Sequence, residues 1–312
     1  LADTPGEPYT VKLGPGNEDL EEQINAIPWT RLPGVKTIRA KDVSQVDFSG
    51  RDLRMAVVHF RLDALQGACF DDCCLDGSTF RETELINCSF RNASLRHCEL
   101  ERAFSRFTSW ANDFSNADIT GSYYAGFSGQ ELRQTKNFQA RTLAKLELCG
   151  DFSGLSFRTF VLENVRYWRS SCTLTDCDFT DARLVRTIVS GALSPEQIYA
   201  TRNYQERDLT EILFCQVGSG DDARAAWDFS KCNLAYFLHC DLRNADFNDA
   251  FFVHARGNQI DFLSIYDEPR VARFYQATQV KQVGFDNCQI TEAQLRKTVN
   301  WKKKDLRNMH LK

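Results

Sequence analysis

A large apolar residue recurs at every fifth position through the first half of the chain: Phe60, Leu65, Phe70, Leu75, Phe80, Leu85, Phe90, Leu95 and Leu100. Two positions before most of them stands a small residue: Ala68, Cys73, Ser78, Thr83, Cys88, Ala93 and Cys98. A period of five matches neither the helix at 3.6 nor the strand at 2. Each five-residue segment turns one large and one small side chain inward. A single turn of chain cannot bury both, so successive turns must stack, with backbones about 4.8 Å apart as in a sheet. The same centres appear earlier at Phe48 and Leu53, where two extra residues before Phe60 predict a bulged corner. The pattern loosens through Phe104, Phe107 and Trp110 and returns at Phe114, Ile119 and Tyr124. It resumes at Phe152, Phe157, Leu162 and Tyr167, slips by two residues, and continues through Leu174, Phe179, Leu184 and Val189. A last run comprises Phe229, Leu234, Phe237, Leu242, Phe247, Phe252 and Phe262, followed by Phe274, Phe285 and Ile290.

A second repeat interrupts the first. Residues 127–148, 193–214 and 290–311 share a frame that aligns Leu132, Ile198 and Leu295; Thr135, Thr201 and Thr298; Asn137, Asn203 and Asn300; and the aromatics Phe138, Tyr204 and Trp301. Each copy opens with a capping box: Ser128 with Glu131, Ser194 with Gln197, and Thr291 with Gln294. Pro195 falls in the first helical turn, where its missing N–H costs nothing. The frame predicts a helix of one to two turns, a polar turn, and a strand rejoining the coil at Leu143, Leu209 or Leu306.

The pattern of small residue, one spacer and Leu or Phe is seen in Ala68-Cys-Phe70, Cys88-Ser-Phe90, Ala117-Asp-Ile119, Cys177-Asp-Phe179, Cys240-Asp-Leu242 and Ala245-Asp-Phe247. It resembles the motif of the pentapeptide-repeat family. The inserted modules look similar to those of long bacterial, planctomycete-like members. The resemblance implies an all-β solenoid: a right-handed, quadrilateral parallel β-helix with four repeats per coil, short inserted helices and an α/β N-terminal cap. Residues 1–45 do not repeat and are read as that cap, with 46–312 as the β-helix. Within the cap, Gly14-Pro-Gly16 breaks the chain and Asn17 caps a short helix ended by Pro28. Val35–Arg39 alternates like a strand. Covering the end of a solenoid hides unpaired edges and a section of apolar core.

Twelve cysteines raise the readings of a disulfide framework or a metal site. The register favours structural thiols instead, because Cys73, Cys88, Cys98, Cys172, Cys177, Cys232, Cys240 and Cys288 all take the small inward slot. Cys69 and Cys74 stand one before a centre and should face outward. Reduced cysteines favour a cytoplasmic setting. Leu1 in place of Met reads as a processed or trimmed chain, so export after removal of a signal peptide stays open, as does a further domain outside this piece. The net charge of −4 and pI near 5.8 describe an ordinary surface, with no basic excess to bind nucleic acid directly. No apolar run is long enough to span a bilayer.

No catalytic constellation appears, no cofactor is implied, and no catalytic, binding or metal residue is assigned. His59, His97, His239 and His254 occupy outward slots without convergent partners, and His310 lies in the last module. Gly218-Ser-Gly220 lacks the ending of a phosphate-binding loop. Asn87-Cys-Ser89 and Asn92-Ala-Ser94 match the glycosylation sequon by coincidence of the repeat. Lys302-Lys-Lys304, Arg307 and Lys312 form a basic end, read as a solvated cap face or a site for an acidic partner. Three functional expectations follow. The first is a non-catalytic scaffold that binds other proteins. The second, from resemblance to the gyrase-protecting, quinolone-resistance members, is a DNA mimic acting on an enzyme such as gyrase. Against it, Arg61, Arg81 and Glu101 share one ladder if the coil is twenty residues, while Asp71 meets Arg91 and Asp76 meets Arg96, so the signs mix. The third is a structural or targeting part of a larger protein. Partner identity and oligomeric state are not legible in the sequence.

Overall fold

The computed structural model describes residues 9–13, 36–40, 47–54, 56–60, 65–81, 85–100, 111–122, 127–190, 193–215, 226–238, 240–252, 284–286, 288, 290–306 and 310–311. The chain forms two compact units, Leu1–Ala140 with Leu146–Asp151, and Arg141–Lys145 with Phe152–Lys312. Each is a parallel β-solenoid.

In the first unit four ladders climb side by side. One runs through Asp47, Cys69, Ser89 and Asp113, and a second through Asp52, Cys74, Ser94 and Asp118. Thr79 pairs with Glu99 on the third face. On the fourth, Leu65–Gln66 pairs with Leu85–Ile86. All are parallel, and the step of 20 residues from Cys69 to Ser89 gives that coil four sides of five residues. The ladder bonds are short: Phe70 N–H donates to Ser89 C=O at 2.7 Å, and Leu75 N–H to Ser94 C=O at 2.7 Å. The inward centres Phe48, Leu53, Phe70, Leu75, Phe80, Leu85, Phe90, Leu95 and Leu100 are buried, as the period requires. Phe48, Phe70, Phe90 and Phe114 stack as parallel rings, with centroids 5.1, 5.0 and 4.9 Å apart.

The corners explain the polar residues of the repeat. The N–H three residues past a centre closes a turn onto the centre's carbonyl, as Cys73 does on Phe70 at 3.2 Å and Ala93 on Phe90 at 3.1 Å. The third residue of each turn has positive φ: Asp72 at 58°, Asn92 at 56°, His97 at 58° and Asn116 at 60°. This is the type II pattern, which favours Gly or Asn at that place. The Asn and Asp side chains there also form a ladder. Asn116 donates to Asn92 at 2.8 Å, and Asn92 donates to Asp72 at 3.1 Å.

The small slot does more than fill space. Cys73 Sγ donates to the Phe48 carbonyl at 2.8 Å, Cys98 Sγ to Leu75 at 3.0 Å, and Ser122 Oγ to Leu95 at 2.6 Å. In the second unit Cys177 reaches Phe152, Thr187 reaches Leu162, and Cys240 reaches Phe214, at 3.0, 2.8 and 3.3 Å. Every one of these donors bonds the centre carbonyl of the coil before it, stapling consecutive coils at their corners.

One expected centre moves. The strand Ala56–Phe60 pairs Val58 with Phe80 and His59 with Arg81, so Val58, and not Phe60, stands in the column. The five-residue step from Phe48 through Leu53 to Val58 is unbroken, and the two extra residues fall between Val58 and Leu65. Spacing alone allows both residues, Phe60 five before Leu65 and Val58 five after Leu53, and the pairing with Phe80 selects Val58. The strands Tyr9–Leu13 and Lys36–Ala40 extend the same sheet in parallel. The second matches the alternation expected at 35–39. The expected helix after Asn17 lies outside the described residues.

In the second unit Thr142–Ala144, Val161–Glu163 and Arg183–Val185 form one parallel ladder. A longer one runs from Arg166–Thr173 through Thr187–Ser190, Asp208–Cys215 and Asn233–Leu238 to Gly284–Asp286 and His310–Leu311. Its register shifts between Leu209 and Leu213, because Leu209 and Phe214 are five apart while their partners Leu234 and Phe237 are three apart. The centres at Phe104, Phe107, Trp110, Tyr124, Phe262 and Phe274, and the loops at 218–224 and 267–270, lie outside the described residues.

Candidate functional site: the inserted helical modules

Each module is two helical turns in series. In the first copy these are α1 (Gly129–Gln134) and α2 (Lys136–Gln139), in the second α3 (Pro195–Tyr199) and α4 (Arg202–Gln205), and in the third α5 (Glu292–Leu295) and α6 (Val299–Lys302). All three capping boxes form as the spacing predicts. The segment read as a polar turn is the second helix, and the aligned threonine is its N-cap. The Thr135, Thr201 and Thr298 hydroxyls accept the N–H of Phe138, Tyr204 and Trp301. The same hydroxyls donate back to the carbonyls of Leu132, Ile198 and Leu295 at 2.8, 2.6 and 2.8 Å. Both hydroxyl functions are used and the threonines are wholly buried, which accounts for their recurrence. A strand follows at Thr142–Ala144 and at Asp208–Cys215. In the third copy Leu306 is not in a strand, and His310–Leu311 rejoins the ladder.

The aligned asparagine seats each module on the coil beneath it. Asn203 accepts the Leu184 N–H at 2.7 Å and donates to the Leu184 carbonyl at 3.0 Å. Asn300 does the same to Phe252, at 2.7 and 2.9 Å. Asn137 accepts the Ile119 N–H at 2.8 Å and donates to Thr120 Oγ1 at 2.9 Å. A side-chain amide here stands in for the peptide group of the next coil. The backbone continues the ladder alongside. Asn116, Asp181 and Asp249 donate to the carbonyls of Gln134, Ala200 and Lys297, and Lys136, Arg202 and Val299 donate to those of Ala117, Ala182 and Ala250. These bonds carry the backbone pairing across the break, as buried polar groups require.

The capping-box residue adds a second anchor, and here the copies differ. Gln197 donates to the carbonyls of Leu174 and Cys177, and Gln294 to those of Leu242, Arg243 and Ala245. The first copy has Glu131, which has no N–H to give. Its coil carries Asn112 at the small slot, where the others have Cys177 and Ala245. Asn112 Nδ2 donates to Glu131 Oε1 at 3.2 Å and to the Leu85 carbonyl at 3.2 Å, while its Oδ1 accepts the Cys88 N–H at 2.9 Å. The donor has moved from the helix to the coil. Burial pushes the Glu131 carboxyl above the ordinary glutamate range, against the hydrogen bonds from Ser128 and Asn112 that pull it down.

The residues that follow the asparagine in the second turns are unlike one another. They read Phe138-Gln-Ala, Tyr204-Gln-Glu and Trp301-Lys-Lys. Tyr204 is buried against Tyr199, with Arg207 over its ring at 4.6 Å and its hydroxyl donating to Asp228. Phe138 and Trp301 are half-buried.

Cys73, Cys88, Cys98, Cys172, Cys177, Cys232 and Cys240 are buried, while Cys69, Cys74 and Cys288 are half-buried. Burial pushes the thiol of Cys73 up to about 12, and that of Cys98 likewise to about 12. Cys288 was expected in a buried slot. It is half-buried instead, and its thiol accepts the Cys240 N–H at 3.4 Å. His97 is exposed. The side chains of His59 and His310, and all of His239 and His254, lie outside the described residues. Asn92 belongs to the amide ladder, which explains the sequon without a glycan. Among the described residues no group of three or more His, Cys, Asp or Glu is arranged to hold a metal ion, and no helix is long and apolar enough to cross a membrane. Opposite charges adjoin in the first unit, where Asp71 accepts the Arg91 N–H and Arg91 pairs with Asp113 at 2.6 Å.

A family model described as pentapeptide repeats matches residues 73–104, in eight copies. Residues 73–104 thus carry pentapeptide repeats, and the parallel ladders of both units continue the same coiled architecture beyond the matched segment. No curated protein matches the sequence. Among solved structures, full-length QnrB1, a plasmid-mediated fluoroquinolone resistance protein, is similar at 14% identity, covering 64% of this chain and 94% of that one, with a TM-score of 0.22. A pentapeptide repeat protein from the Arabidopsis thaliana thylakoid lumen is similar at 15% identity, covering 46% and 63% of the two chains, with a TM-score of 0.09. At these scores the likenesses add nothing to the fold argument, which rests on the repeat and the ladders.

Proposed function

We propose that this protein is a non-catalytic scaffold that binds other proteins through its inserted modules, with residues 1–45 serving as an N-terminal cap. One observation carries the reading: the three modules share a seat and differ in the face they display. Threonine, asparagine and the capping box recur because the coil needs them. The residues after the asparagine change from Phe-Gln-Ala to Tyr-Gln-Glu to Trp-Lys-Lys. A fixed mount with variable outward residues suits recognition, as on other repeat proteins whose binding residues sit on a rigid frame. Mixed signs along the ladders give no continuous acidic stripe, so mimicry of duplex DNA has no support in the charge pattern.

The test compares the intact chain with one carrying Phe138→Ala, Gln139→Ala, Lys302→Ala and Lys303→Ala as bait in affinity capture from the native cell. A partner held by the first and released by the second, with a Kd measurable on purified components, is the expected result. Equal capture by both, or no stable partner for either, overturns the reading.

A further inference from the structure

We propose that the outward face of the third module is a docking surface for an acidic protein segment. The inference rests on the scaffold reading and names the partner chemistry for one of its three modules. Arg296, Lys297, Lys302, Lys303 and Lys304 are all exposed on α5, α6 and the turns that follow them. Glu292 pairs with Arg296 at 2.6 Å, and Asp249 pairs with Lys302 at 2.6 Å. Among the described residues Lys297, Lys303 and Lys304 have no carboxylate partner. The face therefore carries a local positive excess on a chain whose net charge is −4.

The fold does not require Lys297, Lys302 or Lys303, and the other two modules are the control; the place of Lys304 is basic in all three, as Arg141 and Arg207. At the places of Lys302 and Lys303 the first module has Gln139 and Ala140, and the second has Gln205 and Glu206. All three second turns nevertheless have the same threonine cap and the same asparagine seat. A basic cluster that the local structure can do without is one that recognition can account for.

Aromatic rings lie among the cations. The Arg296 guanidinium stands 5.1 Å from the Trp301 ring centroid, and Lys303 Nζ stands 5.7 Å from that of Phe251. Phe251 is 37% exposed, one of two large apolar side chains so open among the described residues. Tryptophan and arginine are the commonest anchors of protein interfaces, and cations stacked on rings keep their outer N–H groups for a carboxylate. The cluster spans one helical turn and its flanks. That footprint suits a short run of Asp and Glu with an apolar residue to cover Phe251. A nucleic acid needs a longer basic track, and the overall negative charge opposes a polyanion of that length.

The test uses the full chain and a fluorescein-labelled peptide of Asp and Glu residues with one central Leu, read by fluorescence anisotropy. The expected result is saturable binding that weakens as salt rises and falls at least about tenfold in Lys297→Glu/Lys303→Glu/Lys304→Glu. Gln139→Glu/Arg141→Glu, which adds negative charge to the first module, should leave it unchanged. Circular dichroism melts establish that both variants fold. No peptide binding, or equal binding by the lysine variant, overturns the proposal. So does preference for a DNA duplex or for phosphatidylserine vesicles over the peptide. A partner captured from the native cell by wild type and lysine variant alike removes this surface while leaving the scaffold reading intact. A wild-type chain that captures nothing removes both.

Discussion

Asn203 holds Leu184 by both of its backbone groups, accepting the N–H at 2.7 Å and donating to the C=O at 3.0 Å. A side-chain amide thereby ends one rung of a parallel ladder and lets the chain leave the coil, build two helical turns and return. The same bond pair at Phe252 and Asn300 shows that this is how the frame makes an exit. At Phe252 the site is buried, so loss of the amide strands an N–H and a C=O away from water. Asn300→Ala is expected to cost about 2–4 kcal/mol in urea unfolding, on the scale of two unsatisfied buried groups. A change below about 1 kcal/mol would mean that water or a shifted helix replaces the amide.

The small inward slot is a donor slot. Cys98 is fully buried and its thiol donates to the Leu75 carbonyl at 3.0 Å, the role Ser122 plays one coil later. Cys98→Ser is expected to be more stable than Cys98→Ala by about 0.5–1.5 kcal/mol, the usual worth of one hydrogen bond. Native-state labelling with Ellman's reagent should modify Cys69 and Cys74 before Cys73, Cys88 and Cys98, whose burial keeps the reactive thiolate scarce.

Gly121 has φ of +81°, and a Cβ there would run into the imidazole of His97 on the coil below. Gly121→Ala therefore carries a backbone penalty of about 1–2 kcal/mol and a steric one besides. Adding His97→Ala should return only the steric part. Full recovery in thermal melts of the double variant would show that the turn tolerates a side chain.

Glu131 makes the first module sensitive to pH. Its folded pKa lies above the unfolded value, so the native state holds a proton that the unfolded chain releases. Its contribution is most favourable below the ordinary glutamate pKa and is lost as pH rises through the raised folded value. The stability difference between wild type and Glu131→Gln should move in favour of the variant across that window. A constant difference, measured by urea melts along the pH series, would place the carboxylate in water-like surroundings.

The coil was legible because its chemistry is local and repeated. Five-residue spacing alone placed Phe70, Phe90 and Leu95 inside, and the alternation of small residues placed Cys73 and Cys98 beside them. At 56–60 spacing alone allows both Val58, five after Leu53, and Phe60, five before Leu65, and only the cross-coil pairing with Phe80 decides between them. The modules were legible as an aligned frame, and their capping boxes are written in adjacent residues. Their purpose was not, because the partners of Asn137, Asn203 and Asn300 lie a coil away, 18, 19 and 48 residues earlier in sequence. The exchange of Gln for Glu at 131 makes sense only beside Asn112, which nothing in the helix sequence announces. Cysteine looked like filler for the same reason, since the carbonyl it reaches belongs to another turn of the chain.

The account stands on a division within each module between residues that seat it and residues that face outward. The most direct test transplants the first module's face onto the third, as Trp301→Phe, Lys302→Gln and Lys303→Ala, and compares thermal unfolding with that of Asn300→Ala. The transplant should melt close to wild type, because exposed ion pairs contribute little, while Asn300→Ala should melt several degrees lower. A transplant that unfolds the chain, or an Asn300→Ala variant that melts like wild type, would contradict it.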